Sequence, residues 1–280
     1  MKTMNDPTII TKRGDRSGTT LSVMCGVHGN EICGLWAVRK ALAEIIVEAG
    51  TVHFIFANLA AIALDVRQTQ MNMNRAFKPA DELTESERNS YERHRAEAIM
   101  PFLAESEVLL DIHSSKSAES IPFIICEPNS FTVAQQLAFP IVSHGWDALH
   151  AGSTDYFVNQ RGGQGICIEC GHHYDSAAPE RAYNTLVRFL GIMGAITITT
   201  SNVAATRTRL VRAHTIHRAA ESFTCVKTFA DFDPLCEGDL IGYDGDSEVH
   251  APADCIIIFA RNTDKADGEA FVLGSEETVG

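Results

Sequence analysis

Three short stretches end apolar runs in side chains that hold metals or move protons. "CGVHGNE" (25–31) offers His28 and Glu31, and "LLDIHSS" (109–115) offers His113 with Asp111 two residues before it. "CIECGHH" (167–173) offers Glu169. Two imidazoles and one carboxylate, with a fourth position left to water, make a catalytic rather than a structural zinc site. The glycine turn around His28 lets the backbone fold sharply, so His28 and Glu31 can converge. Asp111 could orient one of the imidazoles from behind, and the sequence does not choose which. Each residue alone has an ordinary explanation. A His-x-x-Glu pair is common by chance, His113 could be a satisfied strand-end histidine, and Glu169 a salt-bridged carboxylate. Their shared place, at the ends of predicted strands on one sheet edge, favours chemistry.

A further segment, "NLAAIALDVRQTQMNMNRAF" (58–77), carries Arg67, Asn74 and Arg75 in a stretch rich in Asn, Gln and Met. It reads as a loop despite its length. Arginines on such a loop suit bidentate capture of a carboxylate.

These groups need a scaffold, and the chain supplies one. Leu21–Val27, "VHFIFANL" (52–59), "VLLDIHS" (108–114), "IPFIICE" (121–127) and "GQGICIEC" (163–170) read as strands. Helices are expected over 31–48, 85–106, from Phe131 onward, and over 178–193. Continuous apolar runs between helices, rather than polar/apolar alternation, predict an α/β mixed sheet with helices on both faces. In such sheets functional groups gather beyond the carboxyl ends of the strands. After about residue 200 the texture changes to short strands and Gly–Asp turns without a helix, so a small all-β domain is expected over 201–280.

The motifs, taken in order, resemble the succinylglutamate desuccinylase/aspartoacylase family, relatives of the zinc carboxypeptidases. "GVHGNE", "NRAF" at 74–77 with Arg67 upstream, "DIHSS" and "IECG" carry the resemblance over roughly residues 20–190. It implies a zinc carboxypeptidase-like fold for residues 1–200, and one Zn2+ per chain on His28, Glu31 and His113. It implies that Arg67 polarises the scissile carbonyl, that Asn74 and Arg75 hold the substrate carboxylate, and that Glu169 is the general acid/base. Two positions depart from the family pattern. Asn72 stands where Asp is expected, which could loosen support of the Arg75 loop, and Leu59 follows Asn58 where Pro is usual.

Composition narrows the partners. The 280 residues carry Lys+Arg 23 against Asp+Glu 36, a net charge of −13 that repels nucleic acid and anionic membrane. No apolar run is long enough to span a membrane, and "MKTMNDPTII" lacks a signal-peptide core, so a cytoplasmic protein is expected. Eight scattered cysteines then read as free, buried thiols. Cys167 and Cys170 have Cys-x-x-Cys spacing, but a strand points them to opposite faces. His172 and His173 read as a solvated loop, with pocket lining the alternative, and Lys116 and Arg161 as surface charges, with contact to an acidic acyl group the alternative. "EGDLIGYDGDSEVHAPADCIII" (237–258) is similar to a lipoyl- or biotinyl-type hairpin but lacks the lysine at the turn, so it is assigned no cofactor. The expected activity is zinc-dependent hydrolysis of the amide bond in a small N-acyl amino acid. The alternatives are a peptide-cleaving carboxypeptidase and a non-catalytic zinc-dependent small-molecule binding module. Oligomeric state is left open, a homo-oligomer included.

Overall fold

Strands whose successive residues are all apolar must be covered on both sides, and here such strands form the centre of a sheet. The structure, a computed structural model, describes residues 8–198 and 208–277. In chain order come β1 (Ile9–Arg13), β2 (Arg16–Cys25), α1 (Ile32–Glu44), β3 (Ala49–Phe56) and α2 (Leu59–Leu64). Then follow α3 (Glu85–Arg88), α4 (Tyr91–Glu105), β4 (Val108–Ser115), β5 (Phe123–Cys126) and α5 (Phe131–Gln136). Next are β6 (Ile141–His144), α6 (Trp146–Leu149), α7 (Thr154–Asn159), β7 (Gln164–His172) and α8 (Ala178–Ile192). After the segment outside the described residues come β8 (Arg209–Arg218), β9 (Phe223–Cys225), β10 (Asp233–Leu235) and β11 (Leu240–Asp244). The chain closes with β12 (Ser247–His250), β13 (Cys255–Ile258) and β14 (Glu269–Glu277).

Eleven of the described strands form one mixed sheet in the order β1-β3-β2-β4-β7-β5-β6-β8-β14-β13-β10. β2, β4 and β7 are parallel neighbours at its centre, so their carboxyl ends share an edge. Alternate residues serve opposite cores. Leu21, Val23 and Cys25 of β2 and Leu110 and Ile112 of β4 pack with Val38 of α1 and Leu186 and Phe189 of α8. Met24 and Leu109 face the other way, onto Ile99 and Leu103 of α4 and Phe157 of α7. Fully burying one such side chain stabilises the fold by about 1.5–3 kcal/mol, and both faces of each strand contribute. Cys167 and Cys170 lie in different clusters, on opposite faces of the sheet.

Several expectations need correction. The segment 58–77 opens with α2, N-capped by the Asn58 side chain, which accepts from the Ala61 backbone N–H. The expected helix over 85–106 is two helices, because Ser90 accepts from the Arg93 N–H and starts α4 afresh. β1, β6, α6 and α7 are additional to the elements that the apolar pattern predicts. The residues after 208 include two long strands, β8 and β14. β8 runs parallel to β6 in the main sheet, and β14 antiparallel to β8. Phe123 and Ile125 therefore share a core with Ile256, Ile258 and Val272. The boundary expected at residue 200 lies outside the described residues. A separate three-stranded sheet, β12-β11-β9, sits beyond. All eight cysteines are free, but Cys236 is exposed and Cys225 partly so. Among the described residues no helix is long and apolar enough to cross a membrane.

Candidate active site

β2 stops at Cys25 because Gly26 turns left-handed at φ +68. That φ is what calls for glycine; a Cβ there would meet only side-chain ends, Ile62 Cδ1 at 2.6 Å first. Gly29, three residues on, lies so close to the backbone of α2 that any side chain would overlap Ala61 and Ile62. This tight turn buries His28 and Glu31 at the sheet edge, 4% and 2% exposed.

Glu31 is the centre of the cluster. Its Oε1 lies 2.6 Å from His28 Nδ1 and its Oε2 lies 2.9 Å from His113 Nδ1. The Ser114 backbone N–H also donates to Oε2, at 3.2 Å. One ligand-type atom from each of His28, Glu31 and His113 falls within 4.8 Å of the others. Burial would raise the Glu31 pKa, but His28 and His113 outweigh it and hold the carboxyl well below its ordinary range. Burial pulls His28 down to about 4. Burial opposes charge on His113 too, yet Asp111, Cys167 and Glu31 lift its pKa well above the usual histidine value. Asp111 stands behind His113, with Oδ2 3.0 Å from Nε2, and is itself held by the Thr154 hydroxyl at 2.6 Å. The imidazole that Asp111 faces, at ion-pair distance rather than in an aligned hydrogen bond, is thus His113.

Glu169 stands directly across from His113 in the β4–β7 register, so the two side chains leave the sheet on one face. Its Oε2 is buried with no hydrogen-bond partner. Burial lifts its pKa to about 8; Glu31 and Asp231 add to this, while His113 and Arg67 oppose it.

The loop that follows α2 is fastened from α4. Glu92, 0% exposed, accepts from the backbone N–H groups of Thr69 (2.7 Å), Gln70 (3.2 Å) and Met71 (3.3 Å). It also accepts from the Thr69 hydroxyl at 2.6 Å and from Asn58 Nδ2 at 3.3 Å. Arg93 donates to the carbonyls of Ala76 and Lys78, and Arg95 to those of Phe56 and Ala57. So anchored, the loop brings Arg67 NH1 to 3.4 Å from Glu31 Oε1 and Asn72 Oδ1 to 3.1 Å from His28 Nε2.

Asn74 and Arg75 belong to the same loop but face away from the cluster, Asn74 toward the start of α7 and Arg75 toward β14. Asn74 Oδ1 accepts from the Thr154 N–H. Arg75 donates to the Asn74 carbonyl at 2.7 Å and to Glu269 of β14 at 3.4 Å. Glu269 also pairs with His150, Arg218 and Arg261, so this acid gathers four cationic or basic groups. His173 is not solvated: it is 8% exposed and hydrogen-bonded to the Ser114 hydroxyl at 2.9 Å. Arg161 stacks on Phe157 at the surface, and Lys116 is exposed. Sequence reasoning missed Glu92 and Glu269. In the sequence Glu92 sits in a charged helical run that reads as a solvated face, and only its zero exposure reveals its task.

Fold and cluster together define an α/β protein with a metal-type donor set at the carboxyl edge of its sheet. The pattern of the succinylglutamate desuccinylase/aspartoacylase catalytic domain matches residues 17–193, and the chain belongs to that family. It is 28% identical over 169 residues to a "Probable aspartoacylase" of Prochlorococcus marinus (strain MIT 9313). That match covers 55% of this chain and 54% of the relative, so the chain spans about half of that protein's length. Among solved structures, a succinylglutamate desuccinylase of Vibrio parahaemolyticus superposes with a TM-score of 0.77 at 15% identity, over 97% of this chain and 86% of that one. A succinylglutamate desuccinylase/aspartoacylase of Rhodobacter sphaeroides gives 0.72 at 20% identity, over 96% and 89%. The ectoine utilization protein EutE (DoeB) of Ruegeria pomeroyi gives 0.69 at 16%, over 98% and 97%. At these identities the structural likeness concerns the fold.

Proposed function

We propose that this protein is a zinc-dependent hydrolase that cleaves the amide bond of a small N-acyl amino acid or related compound, on a zinc carboxypeptidase-like sheet. The observation that carries this reading is the His28–Glu31–His113 cluster beside a buried, unpartnered Glu169 oxygen. The donor set suits the metal. The Asn74 backbone N–H can only donate, so it fixes the Asn72 carbonyl oxygen toward itself at 3.0 Å. His28 Nε2, 3.1 Å from that same oxygen, must then carry a proton. His28 Nδ1 is left as an acceptor facing the Glu31 oxygen at 2.6 Å. Two acceptors this close need a proton or a cation between them, and burial of His28 disfavours a second proton.

Zn2+ held by His28, Glu31 and His113 supplies Lewis acidity to a water and to the substrate carbonyl. Glu169 takes the proton of the attacking water as the new C–O bond forms, then gives it to the amine nitrogen as the C–N bond breaks. Burial raises the Glu169 pKa, which favours giving the proton to the amine, and a cation on the neighbouring ligands would favour the ionised form that first accepts it. Arg67 donates to the carbonyl oxygen as negative charge builds there, an interaction whose loss typically costs roughly 3–4 kcal/mol in the barrier. Asn74 and Arg75 hold the substrate carboxylate, so binding becomes orientation. Eight unpaired cysteines fit a reducing compartment, and we place the protein in the cytoplasm.

The test is a hydrolysis screen of N-acetyl-, N-formyl- and N-succinyl-amino acids with zinc-loaded protein, run beside Glu169→Gln. This variant keeps the size and removes the proton acceptor. Turnover should fall by about 10²–10⁴-fold, with zinc content and melting temperature near wild type. Wild-type turnover in the variant overturns the mechanism, and a loss of stability with normal activity per folded molecule assigns Glu169 to the scaffold.

A further inference from the structure

The two imidazoles of the cluster are supported differently. His113 has a carboxylate behind it, Asp111, at 3.0 Å from Nε2. His28 has only the neutral amide of Asn72 behind it, at 3.1 Å from Nε2. Both partners are themselves held: Asp111 accepts from the Thr154 hydroxyl, and Asn72 Oδ1 accepts from the Asn74 N–H. The Asn72 contact is therefore a built one, on a loop fixed two residues earlier through the Gln70 N–H to Glu92.

The group behind a ligating imidazole fixes its tautomer and sets its basicity, and a carboxylate raises that basicity more than an amide does. Resting on the metal-site reading above, we propose that Asn72 is a positioning residue for the metal. It selects the His28 tautomer that offers Nδ1 to the cation, and its neutrality leaves the His28 arm weaker than the His113 arm. The chain then holds zinc less tightly than its own scaffold allows. A single change from amide to carboxylate should tighten the site without adding a ligand. Asp at this position can still accept from the Asn74 N–H, so the turn of the loop is preserved.

The experiment is a zinc affinity measurement by competition with a chromophoric chelator on metal-stripped protein, with no substrate present. Wild type, Asn72→Asp, Asn72→Ala and Asp111→Asn are compared, and circular dichroism confirms that each is folded. Asn72→Asp should bind Zn2+ about tenfold more tightly than wild type. Asn72→Ala should bind it several-fold more weakly. Asp111→Asn should lose about 10–100-fold, more than Asn72→Ala, because it removes a charged support. If Asn72→Asp binds no tighter than wild type, or if Asn72→Ala loses as much as Asp111→Asn, the proposed asymmetry is wrong. If none of the four proteins takes up zinc, the metal reading itself falls, and this inference with it. The gentler Asn72→Asp change, which replaces one NH2 by an oxygen at nearly constant volume, decides the matter should Asn72→Ala fail to fold.

Discussion

Glu92→Gln tests how the loop that carries Arg67 and Asn72 is held. The wild-type carboxylate spreads its two oxygens over three backbone N–H groups, one hydroxyl and one side-chain amide. A glutamine there can keep its oxygen on Thr69, Asn58 and the Gln70 N–H, but its NH2 then meets the Met71 N–H. The buried Met71 donor loses its acceptor, at about 1–3 kcal/mol, while the exposed Gln70 keeps one of its two. The variant should be roughly 1–3 kcal/mol less stable by urea denaturation near pH 7, a sizeable share of a typical domain's stability. Arg67 precedes Thr69 by two residues and Asn72 follows Met71, so the loosened loop moves both. Turnover of the folded variant should fall by about 10²-fold with a smaller change in KM, as expected when a donor is misplaced by about 1 Å.

The same residue has a pH signature. Burial opposes the charge of Glu92, but the donors from Thr69 and Asn58 outweigh it and hold its pKa below the ordinary carboxyl value. The unfolded chain therefore takes up the proton first as pH falls. The stability that Glu92 contributes is complete above the unfolded pKa of about 4.3 and is lost as pH drops through the folded value. The gap between wild type and Glu92→Gln should narrow below about pH 4. A variant within about 0.5 kcal/mol of wild type at pH 7, or a gap that does not change with pH, refutes the argument.

Further tests follow from single residues. His113→Ala should lower zinc from about one equivalent per chain to near none in metal analysis; full retention would remove His113 from the ligand set. Glu269→Gln leaves Arg75, Arg218 and Arg261 facing one another. It should cost on the order of 2 kcal/mol in low salt, discounted because two of the arginines are half-exposed, and less at about 1 M salt; a salt-independent loss would assign the effect to packing. Burial lifts the Asp147 pKa to about 7, with Asp155 and Glu127 adding to it. The folded chain thus keeps a proton that the unfolded chain loses near pH 4, so stability falls as pH rises toward 7. Asp147→Asn should raise the melting temperature at pH 8 and leave it nearly unchanged at pH 4; equal shifts at both pH values would count against the burial argument.

What the sequence makes legible follows the range of the forces involved. The turn holding His28 and Glu31 is written in consecutive residues, and the strand ends at His113 and Glu169 follow from apolar runs a few residues long. Asp111 is visible as a support but not as the support of His113, because that choice depends on which ring its strand brings near. Asn72 stands out only as an unusual residue; its contact with His28 spans 44 positions and forms after α2 and the loop have folded back. Glu92 and Glu269 show the limit most clearly. Each is an acid in an unremarkable stretch, and each becomes indispensable only when distant chain delivers its partners: the loop at 69–71 in one case, and Arg75, His150, Arg218 and Arg261 in the other. Burying a carboxylate is costly enough that it persists only where such partners converge. An acid that gathers several donors, fully buried as Glu92 is or partly buried as Glu269 is, therefore marks a point where the scaffold is held, and such points lie on α4 and β14, outside the motifs that reveal the chemistry.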